Sequence, residues 1–187
     1  MRWLKSAAAL MLCLGLVAAR DAGTKVDNPE FKSWADHGIG TTVTVETIVN
    51  VAGQEIKSEE TGKLTKKTDS ECTLEMTFKL TLPGTGGTQN KTESRTVPSK
   101  VEQGTEYLPD NFDGSYIVLG NEAVTINGRK YACKIVQIEG TSEGVKAKGK
   151  CWVSDQVPGL MVKAEIVGEM NGQKLDTKSI LKSVAIK

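Results

Sequence analysis

Cys72-Thr-Leu-Glu-Met-Thr-Phe-Lys-Leu-Thr-Leu82 alternates apolar and polar residues without a break. Cys72, Leu74, Met76, Phe78, Leu80 and Leu82 point to one side; Thr73, Glu75, Thr77, Lys79 and Thr81 point to the other. A period of two sustained this long marks a strand with one buried face. Upstream, Thr41–Val51 (TTVTVETIVNV) is rich in β-branched residues and puts Val43, Val45, Val49 and Val51 on one face. Downstream, Asn127-Gly128 and Asn171-Gly172 are the pairs that two-residue hairpin turns favour, because both central positions need positive φ. Pairing outward from Asn171-Gly172 sets Glu169 against Lys174 and Glu165 against Lys178, with Ile166 meeting Thr177 and Val162 meeting Leu181 on the other face. Charges oppose charges and apolar residues gather, as one wet and one dry face require. The expected fold is all-β with minor α, a curved antiparallel meander or half-barrel of about eight to ten strands.

Helix is scarce. Asn28–Asp36 (NPEFKSWAD) has a capping residue, Pro at the first helical position, and Phe31 and Trp34 three apart. This predicts one short N-terminal helix plugging an end of the sheet. Ser99–Leu108 is expected to form a second short helical turn. In the strand after the Pro83–Gly87 turn, Thr88, Asn90, Thr92, Ser94 and Thr96 are expected to share the face of Leu80 and Phe78. Small neutral polar groups there suit a partly open concavity, or else an edge strand wet on both sides.

The first nineteen residues read as an export signal. Arg2 and Lys5 are followed by the apolar run Ala7–Val17 and by Val17-Ala18-Ala19, an A-x-A-like cleavage site. The run is shorter than the roughly 18 residues of a spanning helix. Cys13 lies inside it after the bulky Leu12, which argues against lipidation. Cleavage after Ala19 leaves 168 residues, 20–187, as a single antiparallel β domain with 22 basic and 23 acidic side chains. That size supports an ordinary core, and the charge balance excludes the basic footprint of a nucleic-acid binder. The expected location is secreted or periplasmic, with no transmembrane segment after cleavage.

Cys72, Cys133 and Cys151 remain. A hairpin centred on Ser142 in Glu139–Val145 would put Cys133 opposite Cys151, so a Cys133–Cys151 disulfide is expected in an oxidising compartment. The same register opposes Lys134 and Lys150, at a small cost. Cys72 reads as a buried, inert thiol.

The chain holds one histidine, His37, which excludes a multi-histidine metal site; following a helix, it reads as a surface residue. Leu82-Pro83-Gly84-Thr85-Gly86 matches a sortase signal in letters only, because about a hundred residues of ordinary strand follow. Asp110-Asn111-Phe112-Asp113-Gly114 lacks the alternating acids and closing Glu of a calcium loop, and Asn90-Lys91-Thr92 is a formal glycosylation sequon. Lys134, Lys146, Lys148, Lys150 and Lys163 form a basic stripe that Glu165 and solvent neutralise. With no Ser/His/Asp set, zinc spacing or phosphate loop, the expectation is a non-enzyme without metal or cofactor.

A Trp-containing segment running into a Gly-Thr-x-Val strand (Phe31, Trp34, Gly38, Gly40, Thr41, Val43), then EAVTINGRKYAC (Glu122–Cys133), then KCWVSDQVPGLMVK (Lys150–Lys163), resembles small exported bacterial β proteins. The architecture is similar to periplasmic lipoprotein carriers of the LolA/LolB type, in which a curved antiparallel sheet cups a lipid chain against a helical lid. The chain departs from them in having little helix. The resemblance implies no particular binding residue. From the residues themselves, Leu74, Met76, Phe78 and Leu80 are the expected lining for a lipid or other apolar small molecule, plain core being the alternative use of such a face. The alternative function is a cell-envelope structural or interaction module whose exposed strand edge pairs with an envelope protein.

Overall fold

The computed structural model describes residues 23–81, 87–170 and 172–187. The signal segment, Cys13, the Leu82–Gly86 string and Asn171 lie outside the described residues. A short strand β1 (Lys25–Asp27) leads into α1 (Pro29–Ala35). Strands β2 (Thr42–Val51), β3 (Gln54–Lys67), β4 (Glu71–Thr81) and β5 (Thr88–Pro98) follow as a meander. A short β6 (Lys100–Glu102) pairs with β1. Then β7 (Asp113–Ile126), β8 (Arg129–Ser142), β9 (Val145–Val153), β10 (Met161–Met170) and β11 (Gln173–Ala185) form a second meander. The two join where β2 pairs with β11, giving one nine-stranded antiparallel sheet in the order β5-β4-β3-β2-β11-β10-β9-β8-β7.

The helix starts where its sequence dictates. Asn28 caps it by accepting from the Glu30 N–H at 2.9 Å, and Pro29 fills the first turn without losing a bond. Ser99–Leu108 is not helical: it supplies β6 and a run of turns. Pairing with β1 satisfies the backbone of Lys100–Glu102, which a helix there would have had to satisfy internally.

The sheet is rolled but not closed. Laid flat, nine strands would hold the β5 and β7 edges almost 40 Å apart, at about 4.8 Å per step. Yet Asp110, three residues before β7, accepts a 2.7 Å bond from Arg95 Nε on β5. Three extended residues reach only about 10 Å, so the edges approach each other at this end, staggered along their length. Bulges at Thr65, Leu119, Val162 and Lys182 supply the bends. Small inner residues allow the curl: a β-carbon on Gly140 would meet the Phe112 ring at 2.6 Å.

Both expected Asn-Gly turns have their register. Asn127 and Gly128 stand at φ 50° and 77°; Met170 pairs with Gln173, Glu169 with Lys174, Glu165 with Lys178 and Ile166 with Thr177. The β8–β9 turn differs. It is built on Glu143 and Gly144, at φ 48° and 81°, so Ser142 pairs with Val145 and Cys151 falls opposite Val136. Cys133 lies opposite Glu122 on β7 instead. The offset from the expected pairing is odd, so it also reverses faces. Cys133 joins a core with Trp34, Leu64, Leu74 and Met76, and Cys151 joins another with Phe112, Val136 and Ile138. The three thiols are free and buried, and the expected Cys133–Cys151 disulfide is absent. This register also sets Glu139 against Lys148, an ion pair of 2.6 Å, and removes the Lys134–Lys150 opposition.

Burial raises all three thiol pKa values, that of Cys151 from 9.0 to about 11. Native protein is therefore expected to resist alkylation near pH 8 and to react at Cys72, Cys133 and Cys151 once denatured, which peptide mapping checks. Above pH 9 the unfolded Cys151 thiol ionises while the folded one keeps its proton. Stability should fall as pH rises towards 11.

Candidate functional site

The inner face of the rolled sheet can be read along rows of paired residues. Across β5, β4, β3, β2 and β11 one row runs Lys91, Phe78, Glu60, Val45, Leu181, and the next runs Gln89, Leu80, Ser58, Thr47, Ser179. Beyond it Ile56, Val49, Thr177 and Ile166 continue the surface through β3, β2, β11 and β10. Toward the other end, Glu93, Met76, Gly62 and Val43 pair in turn, as do Arg95, Leu74 and Leu64.

Two pieces fill part of this hollow. Trp34 of α1 is 3% exposed and lies on Met76, Gly62 and Gly159. Tyr107, Leu108 and Phe112, from the link between β6 and β7, pack against Val136, Ile138 and their neighbours. The Tyr107 ring meets that of Tyr116 edge-on at 5.2 Å, and the Tyr116 hydroxyl donates to Glu106 at 2.8 Å. Burial and that carboxylate push the Tyr116 pKa up to about 12.

The four residues expected to line a ligand site therefore divide. All share one face of β4, but Leu74 (1% exposed) and Met76 (6%) are core beneath the helix. Phe78 and Leu80 are only half-buried, with Phe78 packed against the edge of that core. Beside them the inner face is polar. Thr47 and Ser179 share a 2.8 Å hydrogen bond, and Lys91 and Glu93 form a 2.6 Å ion pair.

The inward residues of β5 differ from expectation. Thr81 pairs with Thr88, so Gln89, Lys91, Glu93, Arg95 and Val97 face inward and the Thr, Asn and Ser residues face out; Thr77 and Thr92 are partners there. The link before β5 is one residue off the expected register, and that slip turns over the whole strand. A signal was present: Val97 is the sole apolar residue from Thr88 to Val97, and it marks the inward parity.

Arg95 is tolerated inside because its donors are taken up. Two of its nitrogens bond the Glu30 carboxylate of α1 at 2.5 and 2.9 Å, and Nε bonds Asp110. A bidentate guanidinium–carboxylate pair is the geometry that best compensates lost hydration. One side chain thus pins helix, edge strand and link together. Around it, Asn28, Glu30, Val97, Leu108, Asp110 and Phe112 help line an open depression of about 630 Å³ at the seam.

Among the described residues Glu60 has no such ion pair. Flanked in its row by Phe78 and Val45, it is open to water but surrounded by the walls of the hollow. Desolvation raises its pKa above 4.5; Arg95 opposes the shift, while Glu30, Glu93 and Asp110 add to it. The folded carboxyl holds its proton to higher pH than the unfolded one, so stability falls as pH rises through that window, and the loss is complete above it. Glu60→Gln is expected to raise the melting temperature at pH 7, with the gain vanishing by about pH 4, as thermal scans across pH would show.

The remaining candidates have structural roles. His37 donates its N–H to the Trp34 carbonyl at 3.1 Å, and its own carbonyl accepts from Lys67 at 2.8 Å. Asp110 and Asn111 form a turn that feeds Phe112 into the core, and Asp113 and Gly114 open β7. The basic stripe is interrupted by acids: Lys146 opposes Glu169, Lys150 opposes Glu165, and Lys163 pairs with Glu165 at 2.8 Å. Lys134 is on the other face, bonded to the Tyr107 hydroxyl. Among the described residues no three metal-ligating side chains cluster, and no helix is long and apolar enough to cross a membrane.

The class this defines is an open, rolled antiparallel sheet with a single short helix inside it. No family model and no curated relative matches the chain. Among solved structures it is similar to a candidate lipoprotein from Parabacteroides distasonis (13% identity, TM-score 0.48, covering 83% of this chain and 98% of that one). It is also similar to a candidate exported protein with a YmcC-like fold from Bacteroides fragilis (10%, TM-score 0.46, covering 80% and 97%). A more distant likeness is to a candidate outer membrane lipoprotein-sorting domain from Vibrio parahaemolyticus (11%, TM-score 0.21, covering 80% and 86%).

Proposed function

We propose that this chain is an exported, non-enzymatic carrier that holds an acyl chain or similar apolar group in the unplugged half of its rolled sheet. One observation carries the reading. Phe78 and Leu80 continue the apolar row of β4 beyond the fully buried Leu74 and Met76, and they stay half-buried. An apolar chain laid along them would gain roughly 25 cal/mol for each Å² it removes from water. The hydroxyls of Thr47 and Ser179 and the Lys91–Glu93 pair would meet the ligand's polar end. The signal segment and the oxidising envelope belong to the same reading.

Native mass spectrometry tests it, on mature protein purified without detergent from its own envelope and compared with a solvent-extracted sample. A discrete mass lost on extraction and identified as a lipid is the expected result. Phe78→Asp should then weaken rebinding of a fatty acid about 100-fold, since a charge replaces a ring on the contact surface. A bare polypeptide mass, with no uptake of added fatty acid or phospholipid, would refute it. The second reading, an envelope interaction module, is favoured by β7, an edge strand that pairs only with β8 among the described residues.

A further inference from the structure

The charges around Glu60 are already matched to one another. Arg95 is held by Glu30 and Asp110, and Lys91 pairs with Glu93 at 2.6 Å. Both nearby cations thus face an anion. Glu60, set between Phe78 and Val45 in its row, feels them only at long range: Arg95 attracts it, while Glu30, Glu93 and Asp110 repel it. Water reaches its carboxylate, yet the walls of the hollow desolvate it. Among the described residues near it, Glu30, Glu60, Glu93 and Asp110 stand against Lys91 and Arg95, so the field in this part of the hollow is negative. An uncompensated carboxylate on an inner face costs stability. A chain that compensates the neighbouring inward charges but not this one breaks a local rule at a single point, as chains do where they meet a ligand.

We propose, resting on the carrier reading, that Glu60 receives the polar end of the ligand and that this end is a cation, an ammonium group carried on the apolar chain. The neighbour of Glu60 fits that chemistry. Phe78 lies directly opposite it on β4, so a ring and a carboxylate stand side by side on one face, with Cβ atoms about 5 Å apart. An ammonium seated there meets a full negative charge and can lie against an aromatic ring, and both attractions act on alkylated ammonium groups. Leu80, next along the same face, leads the apolar chain away from the charge. A free carboxylate end would instead be repelled by Glu60, and its attraction to Lys91 is already drawn off by Glu93. The hollow therefore prefers a cationic amphiphile to a fatty acid of the same length.

The test compares dodecyltrimethylammonium with dodecanoate on delipidated mature protein at pH 7 and low salt, each below its micelle concentration. Equal chains hold the apolar contribution nearly constant, so the ratio of affinities reports the polar end. Calorimetry gives the affinities, and native mass spectrometry counts the ligand bound per chain. The ammonium is expected to bind about 10-fold more tightly. Glu60→Gln should bring the ratio close to one, and Phe78→Leu should weaken the ammonium more than the carboxylate. Glu59→Gln removes the same charge from the adjacent residue, which faces outward to Lys182, and should leave the preference in place. Dodecylphosphocholine, run alongside, separates two sources of such a cation. Affinity matching the ammonium would identify a zwitterionic lipid headgroup, weaker affinity a simple amine, and either upholds the cation requirement. Because Glu60 is exposed and its neutralisation is expected to stabilise the fold, unchanged circular dichroism should accompany Glu60→Gln. Equal affinities in the wild type, a preference for dodecanoate, or a preference that survives Glu60→Gln would overturn the proposal and leave the carrier reading standing. Uptake of neither amphiphile would overturn both.

Discussion

Trp34→Ala is expected to destabilise the protein by about 3–5 kcal/mol, the range for removing a buried large aromatic side chain, and to lower the melting temperature by roughly 10 °C or more. The ring is 3% exposed and fills the space between α1, Met76 and the backbone at Gly62 and Gly159. Two of its neighbours are glycines, which have no side chain to help fill the gap. The seven-residue helix is too short to persist unaided and is held by this face. Trp34→Phe should cost much less than Trp34→Ala. The indole N–H has no hydrogen-bond partner among the described residues, so phenylalanine gives up volume but no bond. Thermal and denaturant unfolding of the two variants measures the difference directly. Similar losses for Phe and Ala would mean that the indole N–H is bonded after all.

Arg95→Met is the second large expected effect, about 2–3 kcal/mol, because it leaves the Glu30 carboxylate half-buried without its partner. The cost is tempered by Asp110, whose side chain is 52% exposed and can return to water. The diagnostic is the double variant. Arg95→Met with Glu30→Gln removes both charges and should recover much of the loss, since the penalty belongs to the uncompensated ion. Salt should matter little to the wild-type contribution, as the pair is shielded by α1 and β5. A single variant that melts with the wild type would show that the seam is held by Phe112 and its neighbours instead.

These two residues stand on either side of what the chain discloses locally. Trp34 was legible: a capping Asn, a Pro and two aromatics three apart form an amphipathic turn wherever they occur. The β4 alternation and the Asn-Gly turns were legible for the same reason, since each signal lies within a dozen residues. Arg95 was not legible as an inner residue, because a run of Thr, Asn and Ser read as the more natural lining of a wet face. Its place depends on Thr81 pairing with Thr88, and on Glu30 and Asp110 arriving from elsewhere in the chain. The candidate site shows the same division. The chain shows that Leu74, Met76, Phe78 and Leu80 share a face, but only the packing of α1 separates the first two as full core from the last two as half-buried.

The cysteines make the point most sharply. A hairpin centre misplaced by a residue and a half moves Cys133 and Cys151 from facing partners to different cores. By itself, then, the sequence determined the all-β class, the alternating strands it marks, the N-terminal helix and the register of the two Asn-Gly hairpins, because alternation, capping and positive φ act over neighbouring residues. Tertiary structure alone decided the register parity of β5 and β9, the joining of β2 to β11 and the near-meeting of the two edges. Side chains repeat every two residues along a strand, so a register slip of one is locally almost invisible. Its energetic consequence appears only when the opposite strand, the helix or the link arrives to cover one face or the other.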